Sequence, residues 1–200
     1  MENIQKLIDE KGVIRILEEI IMKNAPIENG ITYVPTKIGN SAFDNIHNLS
    51  ELHIPKTVTE IEWCFYECYN LKHIYVSDEN PKYCDIDGVL YNKEKDELIA
   101  YPNAHGKEYA IPEGVKEIAH FAFKSCKDIK TIHLPKSLKT INHNAFYRCT
   151  SLKSIDLPDG IVTVEDTVGD SKVDIDYIYK GKTYKLEEIQ EVLKSKKKGK

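Results

Sequence analysis

The sequence predicts a solenoid, in which the chain winds through stacked coils and the strands of successive coils form a parallel β-sheet. Eight apolar residues recur as the same or a similar residue 23 positions later, namely Ile118, Ala122, Phe123, Cys126, Ile129, Ile132, Leu134 and Leu138. The end of each repeat alternates apolar and polar residues, which is typical of a short strand with one buried face. A proline follows three of these strands directly, at Pro55, Pro135 and Pro158. Proline has no N–H to continue a strand ladder, so the chain turns there.

The repeat length narrows the fold class. A period of 23 residues lies in the leucine-rich-repeat window of about 20–29 residues and is too short for a pair of helices. Strands one coil apart must be parallel and roughly 4.8 Å apart. We therefore expect a leucine-rich-repeat solenoid with a parallel sheet on its concave face and a mostly irregular convex side. Like residues should stack in two core ladders, Phe43, Phe65, Phe123, Phe146 and, three residues on, Ile46, Cys68, Cys126, Cys149.

The repeated pattern I-x3-A-F-x2-C-x2-L-x2-I-x-L-P resembles the BspA-type leucine-rich repeat, a family found in bacterial surface proteins and in some parasitic protists. The segment from Asp87 to Val115 resembles the hairpin-bearing variant coil of that family. The resemblance covers about residues 38–164. It implies a right-handed solenoid that serves as an interaction surface, often an adhesive one. It transfers no catalytic residues, because the family motif consists of core positions.

The chain divides into four predicted parts. Apolar residues between Ile4 and Ile21 recur at three- and four-residue spacing, which predicts an amphipathic helix. We expect this helix to cap the first coil, and the alternative is a helix that joins copies into a homo-oligomer. The parts are an N-terminal helical cap and lead-in (1–37), the solenoid (38–164, with the variant hairpin coil at about 77–117), a C-terminal cap of a hairpin and a short helix (165–193), and a disordered basic tail (194–200).

Charge and hydropathy exclude some classes of partner. Removing the five lysines of residues 194–200 from the net charge of −4 leaves −9 for residues 1–193. Such an acidic body argues against a nucleic-acid ligand, since phosphate binding needs a basic face.

No segment approaches the roughly 20 apolar residues that span a bilayer. The apolar run 13–22 carries three charged residues, which a signal peptide does not tolerate. The chain as given is expected in the cytoplasm, whereas the family resemblance favours a surface or secreted protein.

The cysteines are expected to be reduced core residues. Three of the five share one ladder position, at Cys68, Cys126 and Cys149, and behave there as small hydrophobes. Parallel side chains in a ladder are badly aimed for the dihedral angle of a disulfide. The chain contains no CxxC spacing for metal or redox chemistry.

The side chains that flank the buried strand positions should point outward from the concave sheet, where they can contact a partner. One predicted row holds His53, Tyr75, His133 and Asp156, and a second holds Glu51, His73, Thr131 and Ser154. Aromatic and histidine residues outnumber lysines on these rows, which suits a protein-binding surface. The alternative is an ordinary solvated sheet face.

Two catalytic arrangements are weaker alternatives. His53 and His73 with nearby carboxylates could hold zinc, but the chain has seven histidines, and some will be neighbours by chance. Ser154 and His133 lie on neighbouring predicted strands, without a glycine-rich oxyanion elbow. We predict no catalytic residue, metal or cofactor.

The first functional hypothesis is therefore a non-enzymatic binding module for interaction or adhesion. Its expected partner is a protein, such as a host or cell-surface protein, or a glycan. The second is a self-assembly unit, and the third is a metal-dependent or hydrolytic enzyme.

Overall fold

The computed structural model describes residues 13–15, 27–28, 31–32, 36–62 and 64–198. In most coils a two-residue strand precedes a strand of three or four residues. The strands are β1 (Val13–Arg15), β2 (Ile27–Glu28), β3 (Ile31–Thr32), β4 (Lys37–Ile38), β5 (Glu51–Ile54), β6 (Glu60–Ile61), β7 (His73–Val76), β8 (Tyr83–Ile86), β9 (Val89–Asn92), β10 (Glu97–Ala100), β11 (Glu108–Ala110), β12 (Glu117–Ile118), β13 (Thr131–His133), β14 (Thr140–Ile141), β15 (Ser154–Asp156), β16 (Thr163–Val164), β17 (Asp176–Tyr179) and β18 (Lys182–Tyr184), and the described helix is α1 (Leu186–Lys198).

Two parallel ladders run along the stack. The longer strands lie at the predicted positions, with Leu52 opposite Ile74 in the first pair of complete coils, and this confirms the predicted solenoid. The two-residue strands form a second ladder, in which Ile118 lies opposite Ile141 and Ile141 opposite Val164. The repeat pattern did not indicate this second ladder, because two residues are too few to show an alternation.

The aromatic residue of the motif is hydrogen-bonded to the coil that follows it. Phe123 N–H donates to Ala145 O at 2.8 Å. The equivalent bonds run from Phe43 N–H to Cys64 O, from Tyr101 N–H to Ala122 O and from Phe146 N–H to Thr167 O. Tyr101 therefore occupies the position of the motif's phenylalanine. Its ring stacks on Phe123 with centroids 4.9 Å apart.

The cysteine of the motif hydrogen-bonds through its thiol to the motif's aromatic residue in the preceding coil. Each cysteine contacts the backbone carbonyl of the aromatic residue in the preceding coil. The contacts are Cys68 Sγ to Phe43 O at 2.9 Å, Cys126 Sγ to Tyr101 O at 3.6 Å and Cys149 Sγ to Phe123 O at 3.0 Å. A thiol is a weak donor on a small apolar side chain. A cysteine at this position therefore has two roles: it fills the core, and it also pairs with a buried carbonyl.

The variant coil interrupts the stack. Strands β8, β9 and β10 form an antiparallel meander, and β10 then pairs in parallel with β12. The Asp87–Gly88 turn has φ of 52° and 80°, as a type I′ hairpin requires. The buried core is divided into two clusters, one between Ile38 and Leu90 and one between Val89 and Leu193. We call the boundary between residues 60–76 and residues 97–109 the seam.

A hairpin and α1 follow the last coil. Strands β17 and β18 pair antiparallel, and β17 extends the ladder of β15. Helix α1 buries Ile189 and Leu193 in the C-terminal core cluster, and Glu187 and Glu188 in its first turn favour its N-terminus electrostatically. Within the described residues, no helix is both long and apolar enough to cross a membrane.

Two expectations about the chain ends need correction. Residues Val13–Arg15 form a strand that pairs in parallel with β5, so the helix predicted over Ile4–Ile21 is wrong there. The rest of that helix, and with it the self-association surface, lies outside the described residues. Residues 194–198 continue α1 and are helical, not a disordered tail. Lysine is a good helix former, and Lys194 Nζ pairs with Glu191 at 2.8 Å.

We expect Phe123→Ala to lower the free energy of unfolding by about 3–5 kcal/mol. Phe123 is fully buried between the rings of Tyr101 and Phe146, so truncation leaves a cavity in the middle of the stack. Equilibrium urea unfolding measures the loss. Phe65→Ala is the matched control, because Phe65 is half-buried at the seam and should cost less. Equal losses in the two variants would contradict the proposed packing.

We also expect the ladder cysteines to resist alkylation in the native protein. All five cysteines are free, and burial raises the pKa of the Cys68 and Cys126 thiols to about 12. A raised thiol pKa leaves little thiolate, the reactive form, near pH 8. Mass spectrometry after brief iodoacetamide treatment should find half-buried Cys84 labelled first, and all five labelled in denaturant. Rapid native labelling of Cys126 would refute this assignment.

Candidate interaction surface

The structure divides the predicted contact residues into two groups. On β5 and β7, Glu51 lies opposite His73 and His53 lies opposite Tyr75. The other four, Thr131, His133, Ser154 and Asp156, lie on β13 and β15, which are exposed on their outer side. Strands β7 and β13 belong to different sheets, because the meander is inserted between their coils. The predicted rows are therefore not continuous.

The first group is the centre of an aromatic patch. The ring centroids of His53 and Tyr75 lie 4.9 Å apart, and those of His73 and Tyr75 lie 5.6 Å apart. The ring of His105 meets His73 edge-on at 5.4 Å. All four side chains are half-buried, so each ring presents one part to solvent. We call His53, His73, Tyr75 and His105 the aromatic patch.

His105 was not predicted from the sequence. It lies in the variant coil, where the 23-residue spacing fails and no repeat position indicates its direction. Its Nδ1 lies 2.8 Å from Lys72 O, and because a carbonyl only accepts, this nitrogen is the donor. Ala104 N–H donates to Leu71 O at 2.8 Å beside it. These two bonds hold His105 against the coil of β7.

Two carboxylates lie beside Tyr75 in the patch. Burial raises the pKa of the Tyr75 hydroxyl above its usual value, and the negative charges of Glu51 and Asp85 raise it further. His53 Nε2 lies 3.6 Å from Glu51 Oε2, beyond hydrogen-bond distance, and has no hydrogen-bond partner in the part of the chain that the structure describes. The aromatic patch therefore combines apolar ring surface with two acidic residues beside Tyr75, Glu51 and Asp85, which we call the negative rim.

The β8–β9 turn supports the patch from one side. Ile74 N–H donates to Gly88 O at 2.8 Å, and Val76 N–H donates to Asp85 Oδ1 at 2.7 Å. Gly88 has φ of +80°, and a Cβ on it would lie 2.6 Å from His73 Nδ1. Only glycine fits this turn without moving the histidine.

The second group has a different character. His133 Nε2 lies 2.7 Å from Glu108 Oε1, with both side chains more than half exposed, and an exposed pair of this kind contributes little stability. No hydrogen bond joins His133 to Ser154 in the described chain. Residues 36–62 and 64–198 also contain no group of three histidine, cysteine or acidic side chains that could hold a metal ion. This half of the predicted surface is a polar, solvated sheet face.

Stacked coils with repeated core ladders and an outward sheet face define the leucine-rich-repeat class. More particularly, the chain belongs to the family of the BspA type leucine rich repeat region. The family model matches residues 18–87 and 99–190, in six copies. Residues 88–98, which separate the two matched ranges, fall within the meander.

Several solved structures are similar to the chain. The pneumococcal vaccine antigen PcpA is 32% identical over 62% of this chain and 31% of its own, with a TM-score of 0.57. A leucine-rich repeat protein from Eubacterium ventriosum is 30% identical over 75% of this chain and 41% of its own (TM-score 0.62). A leucine rich cell surface protein from Faecalibacterium prausnitzii is 29% identical over 68% and 43% (TM-score 0.50). The chain thus spans less than half of each. No curated protein sequence matches it.

We expect Gly88→Ala to displace His73 and lower the free energy of unfolding by about 1–3 kcal/mol, from backbone strain and a clash. Hydrogen exchange should be faster at the Ile74 amide, because its N–H donates to Gly88 O. Gly181→Ala is the matched control, since Gly181 has a similar φ of +74° and nothing within 4 Å of an added Cβ. In Gly181→Ala the free energy of unfolding should fall only by the contribution of backbone strain. Identical effects in both variants would show that the turn does not seat His73.

Proposed function

We propose that the chain is a non-enzymatic protein-binding module that contacts its partner through the aromatic patch. The observation that carries this is the unbroken run of half-buried rings from His53 through Tyr75 and His73 to His105. Tyrosine offers a large contact area with little side-chain entropy to lose. Lysine, which is depleted at interface cores, is absent from these four positions.

The negative rim indicates the chemistry of the partner. Glu51 and Asp85 lie close enough to Tyr75 to raise its pKa, so the partner surface should place lysine or arginine beside an apolar contact. Complementary charge at an interface chiefly increases the association rate and selects among partners. The binding rate should therefore fall as salt concentration rises.

Two similar proteins suggest where such a module works. One is a vaccine antigen and another a cell surface protein. Together with membership of the BspA-type family, these support a surface or secreted setting with a host or cell-surface protein as partner. Adhesion is the corresponding proposed role.

Affinity capture tests the proposal, with immobilised wild type, Tyr75→Ala and Tyr147→Ala as baits and extracellular-matrix proteins as prey. We expect Tyr75→Ala to weaken Kd by about tenfold or more, as for an interface hot spot, with a change in Tm no larger than that of Tyr147→Ala. Tyr147→Ala is the matched control, since Tyr147 is also half-buried but lies on the loop side near Phe121.

His133→Ala separates the two halves of the predicted surface and should retain the prey. Loss of binding in His133→Ala, with Tyr75→Ala unaffected, would move the contact to β13 and β15. Retention by all variants would refute both assignments. A prey whose capture is abolished by glycosidase treatment would identify a glycan as the partner.

A further inference from the structure

The ladder of two-residue strands ends at β16, which pairs with β14 on one side and is the last strand of its sheet. An edge strand presents backbone groups to which another chain can bond. Helix α1 covers part of this edge, because Gln190 Nε2 donates to Val164 O at 3.1 Å. In the preceding coil the equivalent carbonyl, Ile141 O, accepts Glu165 N–H at 2.9 Å. The Gln190 side chain therefore replaces a following coil at this one position.

A second carbonyl at the same edge lacks the bonds that its equivalents make. In four coils the carbonyl just before this ladder position accepts two successive N–H groups from the following coil, at 2.7–3.2 Å. These acceptors belong to Thr36, Asp96, Lys116 and Lys139. Val162 O is the next member of the row, 23 residues after Lys139. No backbone N–H of residues 36–62 and 64–198 donates to it, so this acceptor is open to an added strand.

A groove of about 320 Å³ lies between this edge and α1. Val162, Thr163 and Val164 line it from the edge, and Leu193 and Lys197 line it from the helix. Val162 is the one large apolar side chain that is exposed among the described residues, at 41%. Open backbone acceptor and apolar surface thus lie together, and an extended peptide that joins a sheet edge uses both.

Lys197 gives the groove a positive charge. Its Nζ donates to Thr163 Oγ1 at 3.0 Å, and no carboxylate of the described residues lies within ion-pair distance of it. An ammonium group has three donors, so Lys197 can hold Thr163 and an incoming carboxylate together. The other charges that line the groove already have partners, since Lys194 pairs with Glu191 at 2.8 Å and Glu165 accepts His143 N–H at 2.9 Å.

The position of α1 determines the size of the occupant. Gln190 already bonds Val164 O, and Leu193 is buried in the core beside it, so a complete coil cannot stack on β16 while the helix is in place. A single extended segment needs only the Val162 side of the edge.

We propose that the groove binds an extended acidic segment of a partner protein, which adds to β16 as a parallel strand. Two successive N–H groups of the segment donate to Val162 O, and a carboxylate one coil spacing from Thr163 pairs with Lys197. Backbone bonds supply affinity in such complexes, and side-chain contacts supply selectivity. This surface is separate from the aromatic patch and does not depend on the function proposed for that patch.

The chain contains a segment that suits this role and serves as the probe. Residues 114–119, Gly-Val-Lys-Glu-Ile-Ala, donate the N–H groups of Lys116 and Glu117 to Asp96 O. Glu117 aligns with Thr140, and Thr140 with Thr163. A peptide of this sequence, bound in the same register, places its glutamate opposite Thr163 and beside Lys197. We expect the fluorescently labelled peptide to bind the full chain saturably in an anisotropy titration.

Three analogues of the peptide test the contacts on the wild-type protein. N-methylation of its glutamate removes a donor to Val162 O and should weaken Kd by about tenfold or more. N-methylation of its isoleucine is the matched control and should weaken Kd less, because the N–H groups of Glu117 and Ala119 on either side face the preceding coil and its own faces away. Replacing the glutamate by glutamine should weaken Kd by about two- to fivefold, as for an exposed ion pair.

A variant of the protein assigns the charge. Lys197→Met should remove the preference for the glutamate peptide over the glutamine peptide. Lys130→Met is the matched control, since Lys130 is exposed and outside the groove, and it should keep the wild-type preference.

Several results would overturn the proposal. One is no saturable binding at millimolar peptide, and another is equal binding of the two N-methylated peptides. Wild-type selectivity in Lys197→Met would remove the assigned charge pair. Sedimentation velocity that shows concentration-dependent association, reversed by the peptide, would make a second copy of this chain the occupant instead. The peptide series on wild type decides the matter even where the variant fails to fold.

Discussion

In three coils the aromatic residue, Phe43, Tyr101 or Phe123, is fixed to the next coil at both of its backbone polar groups, and the regular stack depends on this double attachment. Phe123 N–H donates to Ala145 O, while Phe123 O accepts the thiol of Cys149. A slip of one residue would break both bonds and turn the ring out of the core. The spacing of 22 or 23 residues between the aromatic residues of adjacent coils and the choice of cysteine, a small apolar residue with a donor, both follow from this geometry.

Where this attachment fails, the structure gains its distinctive surfaces. The meander supplies Tyr101 as the aromatic residue of a new coil, bonded to Ala122 in the regular way, but it leaves Phe65 without a partner coil. A cavity of about 310 Å³ lies at the seam beside Phe65, and His105 joins the aromatic patch from the same insertion. The regular coils thus supply most of the core and three residues of the aromatic patch, and the irregular coil adds His105 and the cavity, as expected where a rigid scaffold carries variable segments.

The sequence could predict what repeats and little of what does not. The contact between Phe123 and Phe146 follows from two copies of one pattern, and the structure has it, with ring centroids 5.7 Å apart. Tyr101 and His105 could not be placed, because the variant coil occurs once in this chain and no second copy shows where its residues lie. Helical apolar spacing at Val13–Arg15 was overridden by pairing with the free edge of β5, since tertiary contacts outweigh local propensity. The lysines of 194–198 suggested a solvated tail, yet they extend a helix already begun at Leu186.

We expect the seam to be the weakest boundary along the stack. In a repeat protein each coil is stabilised by its neighbours, and here the two core clusters meet across a cavity. Ile99 and Ala100 pack against the N-terminal core cluster across it, and polar, partly exposed pairs add to these contacts, as between Arg148 and Glu67 at 3.1 Å and between Lys127 Nζ and the Tyr69 hydroxyl at 2.7 Å. Such pairs contribute little each. Among the described residues no ring contact joins Phe65 to Tyr101, whereas Phe123 contacts both Tyr101 and Phe146. We therefore expect the stack to separate at the seam before it separates within the regular coils.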